Sequence, residues 1–117
     1  MDFMAELIDH AAENPQSAIN FDQNKPTIQR LFGGEEGLLL SLQHRWMTAL
    51  TAKLDQAAED DIPAEQARAE LTERLPGLRA LLDEAARRSV LIRRRQHDEQ
   101  RVVELHGDVA FLQQTVA

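Results

Sequence analysis

The chain has 117 residues, 43% of them apolar, a formal net charge of −7 and no cysteine. This length suits one domain with a single hydrophobic core, and the lack of cysteine excludes disulfides, thiolate metal sites and cysteine nucleophiles. The acidity argues against nonspecific nucleic-acid binding. Aromatic residues make up only 4% of the chain, and alanine and leucine dominate the apolar set, which favours helices over strands.

The N-terminus, MDFMAELIDH, carries acidic residues where a secretory signal needs a positive region. No apolar run in the sequence approaches the length of a membrane span. We therefore expect a soluble, cytoplasmic protein with no membrane partner.

The first part of the chain predicts two helices separated by a loop. Asp2 is a suitable N-cap for a helix over residues 3–13, and Pro15 ends that helix. Residues 15–25 are expected to form a loop. Pro26 then suits the first turn of a short helix, which a pair of glycines at 33 and 34 closes.

The clearest predicted helix covers residues 35–59. Its apolar residues fall on one stripe at helical spacing, with Gln43, Arg45 and Lys53 off the stripe. The stripe consists of Leu39, Leu42, Trp46, Ala49 or Leu50, Leu54 and Ala57. Its spacing predicts that Trp46 belongs to the core; an exposed Trp46 would instead be the leading interaction anchor.

The second half of the chain predicts two more helices. Pro63 begins one whose apolar face is Ala64, Ala67, Leu71 and Leu75. Pro76 and Gly77 break the chain, and the next helix is expected to run from there to Leu105, with Gly107 as its stop. Residues 108–117 could add one or two helical turns that dock on the core.

This last helix has a polar middle on its apolar side. Gln96, Glu99 and Gln100 fall in line with Leu78, Leu82 and other apolar positions, and a buried unpaired glutamate is costly. Two explanations stay open. Either the helix leaves the core near residue 92, or its polar middle meets a polar surface.

The predicted length of this helix raises a second question. A continuous helix over residues 77–106 would be about 45 Å long, against a diameter of roughly 35 Å for a compact chain of this size. It would overhang its own domain, and its apolar face, which resumes at Val102 and Val103, would need a second surface. Another copy of the chain could supply that surface. The alternative is a break near residues 93–96, with the last helix folded back.

Residues 76–101 contain seven basic and four acidic residues, a net charge of +3 in an otherwise acidic chain. On a helical wheel the arginines spread over three faces, whereas nucleic-acid binders concentrate charge on one. Asp83 with Arg87 and Glu84 with Arg88 form favourable i,i+4 pairs. A solvated helix face is the usual explanation of such a run, ahead of a protein or oligomer contact and a phosphate contact.

Linear motifs for chemistry are lacking. None of the four histidines follows a glutamate by three residues, as di-iron bundles require, and Glu6 with His10 supplies only two ligands. The glycines before residue 35 lack the Gly-Lys-Ser/Thr end of a P-loop, and Glu35 and Glu36 would repel phosphate. We predict no metal, no cofactor and no catalytic residue.

The sequence therefore predicts one all-α domain over residues 1–117, an antiparallel bundle of four or five helices with a long helix in its C-terminal half. Residues 102–117 are a predicted docking tail for a partner or a second subunit. The preferred function is a non-catalytic interaction or assembly module, a homodimer or a binder of another protein. Its candidate interaction residues are Arg87, Arg93, Arg94, Arg95, Glu99, Arg101, Val103 and Trp46.

Two other functions stay open. One is an accessory regulator that binds nucleic acid or phosphate through the arginine-rich segment 87–101, chiefly through Arg87, Arg94, Arg95 and Arg101. The other is a helical domain that binds a small ligand between its helices.

Overall fold

Every regular element of the described chain is helical. The computed structural model describes the backbone of residues 2–116 and the side chains of residues 2–107, and no strand occurs within that range. The α-helices are α1 (Phe3–Glu13), α2 (Pro15–Ala18), α3 (Lys25–Phe32), α4 (Glu35–Glu59), α5 (Ala64–Arg74), α6 (Pro76–Ala86) and α7 (Val90–Val116). A 3₁₀ turn (Asp22–Asn24) precedes α3.

Local capping explains where α1 and α3 begin and end. The Asp2 carboxylate accepts a hydrogen bond from the backbone N–H of Met4 at 3.3 Å and so caps α1. Gly33 ends α3 in the left-handed conformation, with φ of 76°. The predicted helices over residues 3–13 and 35–59 are confirmed, and so is the break before Pro76.

The predicted loop over residues 15–25 is wrong. Asn14 ends α1 and also caps α2, because its side-chain oxygen accepts a hydrogen bond from the backbone N–H of Ser17 at 3.1 Å. Pro15 occupies the first turn of α2, where its missing N–H costs nothing. Ile19 and Phe21 are buried, so this segment belongs to the core.

The predicted continuous helix over residues 77–105 is also wrong, and the alternative break near residues 93–96 is wrong as well. The chain leaves α6 at residues 87–89, and α7 begins at Val90. Ser89 caps the new helix, since its Oγ accepts a hydrogen bond from the backbone N–H of Ile92 at 3.2 Å. Ser89 is the local signal for this helix boundary, where neither a proline nor a glycine is present. Residues 2–116 accordingly form more helices than the four or five predicted.

Gly107 does not stop the last helix. It lies inside α7, which continues to Val116. A helix tolerates an internal glycine at a cost of about 1 kcal/mol relative to alanine. At about 1.5 Å per residue α4 is about 37 Å long and α7 about 40 Å, and the molecule extends 56 Å along its longest axis.

Helix α4 is central and contacts α3, α5, α6 and α7. Its buried side chains include Leu42, Trp46, Leu50 and Leu54, which share the core with leucines of α6. Helix α1 packs closely on α6, where Gly77 lies against the backbone carbonyl of Ile8. No helix in the described part of the chain is both long and apolar enough to cross a bilayer.

Candidate functional site

A buried ion pair joins α7 to α6. The Glu99 side chain is 2% exposed, and Arg79 Nη1 lies 3.1 Å from its Oε1 and 2.9 Å from its Oε2. Arg68 on α5 approaches the same carboxylate, with Nη1 3.6 Å from Oε2. Two guanidinium groups thus compensate one buried carboxylate, which removes most of the penalty for burying it.

Arg79 also contacts α4 and its own helix. Its guanidinium lies over the Trp46 ring at 5.1 Å from the centroid, a cation–π geometry. Its Nη2 lies 2.8 Å from Oδ1 of Asp83, one turn further along α6. Arg79 therefore contacts side chains of α4, α6 and α7.

The two glutamines beside Glu99 bond to the same surface. Gln96 donates from Nε2 to Oδ1 of Asp83 at 3.0 Å, and Arg68 donates from Nη1 to Oε1 of Gln100 at 2.7 Å. Of the two explanations for the polar middle, the one in which it meets a polar surface is confirmed. That surface belongs to α5 and α6 of the same chain.

The sequence reading missed Arg68 and Arg79. One signal could have found them. A glutamate in line with an apolar stripe needs a cationic partner, and Arg79 stands between the buried residues Leu78 and Leu81 on α6, where its charge also needs a partner.

Three candidate interaction residues lie inside the chain. Trp46 is fully buried, so its predicted core position is confirmed. Val103 is 1% exposed and packs in the same core, and Glu99 is enclosed by the two arginines. In this conformation none of the three presents its side chain to a partner.

Two further arginines of the basic segment, Arg88 and Arg93, bond to backbone carbonyls of the chain. Arg88 donates from Nη1 to the carbonyl of Ile19 at 3.0 Å, and its Nη2 lies 3.0 Å from Oε1 of Glu35. Arg93 donates to the carbonyl of Ala86 at 2.9 Å. Arg87 is exposed and lies 3.6 Å from Glu84. Arg88 and Arg93 thus help to hold the junction between α6 and α7.

The predicted i,i+4 pairs of Arg87 and Arg88 are wrong. Asp83 pairs with Arg79 instead of Arg87, and Glu84 pairs with Arg87 instead of Arg88. The reason is the turn at residues 87–89, which ends the helix before the fourth residue of each pair can lie above the first.

Arg94, Arg95 and Arg101 differ from the other arginines of this segment. All three are exposed on α7, and none pairs with a side chain that the structure describes. Because successive residues of a helix are about 100° apart, Arg94 and Arg101 share one face and Arg95 lies to the side of it. These three arginines are the cationic surface that α7 offers to solvent.

Two apolar features lie near the end of α7. Leu105 is 60% exposed, more than any other large apolar side chain described; Leu31 and Val90 are about half exposed. A groove of about 390 Å³ runs between residues 103–107 and the turn between α4 and α5. Its apolar lining includes Leu54, Ala57, Ile62 and Val103.

Among the described residues, no three or more histidine, aspartate or glutamate side chains lie close enough together to hold a metal ion. The pKa of Glu70 is lowered from its ordinary value, chiefly by the hydrogen bond from Lys53, whose Nζ lies 2.8 Å from Oε2. This pair joins α4 to α5.

Comparison of the chain with protein-family models, with curated proteins and with solved structures finds no match.

Proposed function

We propose that this chain is a non-catalytic interaction or assembly module that acts as a homodimer, its long helices packed in an antiparallel bundle. The observation that carries the proposal is Leu105, 60% exposed on a helix that continues to Val116. Isolated helices shorter than about 12–15 residues are marginal in water, and helical stability in proteins comes mainly from packing. Residues 104–116 continue α7 beyond the buried Val103, and packing on a second surface would stabilise them.

The buried charges support a structural role for the network around Glu99. Its carboxylate is 2% exposed and pairs with both Arg79 and Arg68. The bonds of this network connect α4, α5, α6 and α7. We therefore propose that this network fixes the position of α7. It thereby determines where the exposed end of that helix lies.

Absolute mass by light scattering on a sizing column tests the proposal. A dimer of about 26 kDa, twice the chain mass of 13.2 kDa, is expected at high protein concentration. It should persist at high salt, because salt screens charge contacts but not apolar ones. A mass of 13.2 kDa across the whole concentration range would overturn the homodimer. A dimer that dissociates in salt would place the contact on the arginines instead.

A second candidate is binding to an anionic polymer, favoured by the three exposed arginines Arg94, Arg95 and Arg101. Against it stand the acidic Asp98 on the same exposed stretch and the engagement of Arg88 and Arg93 within the chain. Fluorescence anisotropy with a labelled RNA or DNA oligonucleotide tests this candidate. This function requires binding at low salt and a steep loss of affinity as the salt concentration rises. It also requires a marked loss of affinity in R94A/R95A/R101A.

The small-ligand function stays a prediction, and the groove beside residues 103–107 is where the ligand would bind. Its test is a rise in melting temperature in a screen of small molecules. The cytoplasmic location also stays a prediction.

A further inference from the structure

The end of α7 carries a regular repeat of apolar residues. In the sequence they fall at positions 102, 105, 109, 112 and 116, a spacing of three and four residues in alternation. This is the heptad spacing, with valine at every first position and leucine at every fourth. In parallel coiled coils, a β-branched residue at the first position combined with leucine at the fourth favours a two-stranded assembly.

The described part of this seam starts at the chain's own core and leaves it at Leu105. Val103 packs into the core, and Leu105, two residues and about 200° further round the helix, is 60% exposed. Val102 is partly buried against the core and marks the start of the seam. On this turn of α7, Val103 therefore faces the core and Leu105 faces solvent.

The seam has a defined beginning. The preceding positions of the same repeat are Arg95 and Asp98, both charged and both exposed. Charged residues there prevent the repeat from extending along the body of the chain. Further along, residues 103–107 lie beside the turn between α4 and α5. The seam therefore begins where α7 reaches the end of the body.

We infer that a second copy of this chain docks along this seam, so that residues 102–116 of two molecules form a parallel, in-register, two-stranded coiled coil. The inference rests on the proposed homodimer and specifies its contact. Across a parallel pair, the positions that flank the seam bring together Arg101 with His106 and Asp108 with Gln113, so neither two acidic residues nor two Lys or Arg residues lie opposite each other. The seam covers about two heptads, fewer than the three or four usual for a stable coiled coil, so the dimer dissociates on dilution.

Cysteine cross-linking tests the orientation, because the chain contains no cysteine of its own. In a parallel, in-register pair each Leu105 faces the Leu105 of the partner subunit, within reach of a disulfide. The variant L105C is oxidised with diamide, which takes up the two electrons and two protons released by the thiols. Non-reducing electrophoresis then measures the covalent dimer. The matched control is G107C, two residues away on the opposite side of the helix, where an added Cβ meets no neighbour.

The expected result is a covalent dimer formed at least about ten times faster in L105C than in G107C, a rate ratio that corresponds to about 1.4 kcal/mol. Equal rates in the two variants would overturn the seam. A noncovalent dimer by light scattering in which L105C does not cross-link would overturn the parallel register and leave the homodimer standing. A wild-type monomer at all concentrations would remove the homodimer itself.

A second pair of variants separates the seam from general surface hydrophobicity. L105E places a charge in the seam and should convert the dimer to a monomer that still unfolds cooperatively when its thermal melt is followed by circular dichroism. L31E replaces an apolar side chain that is 49% exposed on α3, outside the seam, and should leave the dimer intact. Loss of the dimer in both variants, or in neither, would contradict the assignment.

Discussion

Arg79 and Glu99 are joined by two hydrogen bonds from one nitrogen, 3.1 and 2.9 Å long, between a helix in the middle of the chain and the last helix. Glu99 is almost fully buried, so the pair exists only while α6 and α7 stay together. Hydrogen bonds to charged groups contribute more than neutral ones, and a buried charge without its partner is strongly destabilising. This pair therefore fixes where α7 sits along the body.

We expect E99A to lower the free energy of unfolding by about 3 kcal/mol, because it leaves Arg79 and Arg68 without their shared carboxylate. Urea denaturation followed by circular dichroism measures the effect. The control is D98A, an exposed carboxylate on the same helix, which should change stability by about 0.5 kcal/mol or less. Equal losses in the two variants would show that the network does not stabilise the fold.

Gln43 is buried on α4, and neither its Oε1 nor its Nε2 has a hydrogen-bond partner among the described residues. The variant Q43M keeps the length of the side chain and removes both polar atoms. We expect it to raise the free energy of unfolding by about 1–2 kcal/mol, the usual cost of an unsatisfied buried group. The exposed Q29M is the control. A loss of stability in Q43M would show that the amide has partners in solution.

Two glycines allow opposite predictions for the same substitution. At Gly77 an added Cβ would clash with the backbone carbonyl of Ile8 and lie 3.2 Å from Cβ of Ala12, so G77A should destabilise by about 1–3 kcal/mol. At Gly107 the added Cβ meets nothing within 4 Å, so G107A should stabilise the helix by about 0.5–1 kcal/mol. Thermal melts of both variants measure whether each substitution raises or lowers the stability. A stabilised G77A would contradict the close packing of α1 on α6.

The pair between Lys53 and Glu70 predicts a pH effect. The hydrogen bond from Lys53 is the largest cause that lowers the pKa of Glu70 below 4.5. A lowered pKa in the folded state means that the pair stabilises the fold above pH 4.5 and that this contribution is lost as the pH falls through the folded pKa. Carbon-detected NMR titration should give a midpoint below 4.5 in the wild type.

The variant K53M should move that midpoint back towards 4.5. The control K25M removes a lysine that pairs with Asp22, far from α5 in the chain, and should leave the titration of Glu70 unchanged. An unchanged midpoint in K53M would mean that the pair does not form in solution.

Helix positions in the first half of the chain could be read from the sequence wherever a cap, a proline or a glycine pair marks the boundary. Asp2, Pro26 and Gly33 do so, and the predicted helices there have the observed bounds within a residue or two. The segment after Pro15 was missed because proline signals both the end of one helix and the first turn of the next. The break after α6 was missed because its only local signal is Ser89.

The sequence also showed that the polar middle of the last helix needed an explanation, but it could not name the partners. Arg68 and Arg79 lie 31 and 20 residues before Glu99, and only packing of three helices brings them to one carboxylate. Whether the partners of Glu99 belong to another molecule or to the same chain depends on the turn between α6 and α7. That turn is set by tertiary contacts such as those of Arg88 and Arg93 with backbone carbonyls of the body.

By itself the sequence determined the all-helical class, the bounds of the central helix α4 and the core position of Trp46, because helical periodicity and caps are local properties of the chain. Only the tertiary structure decided which arginines neutralise Glu99, which remain exposed, and which side of α7 faces the body. These outcomes depend on the burial and pairing of charges from distant parts of the chain, where the free energy of one side chain is set by neighbours that local spacing does not reveal.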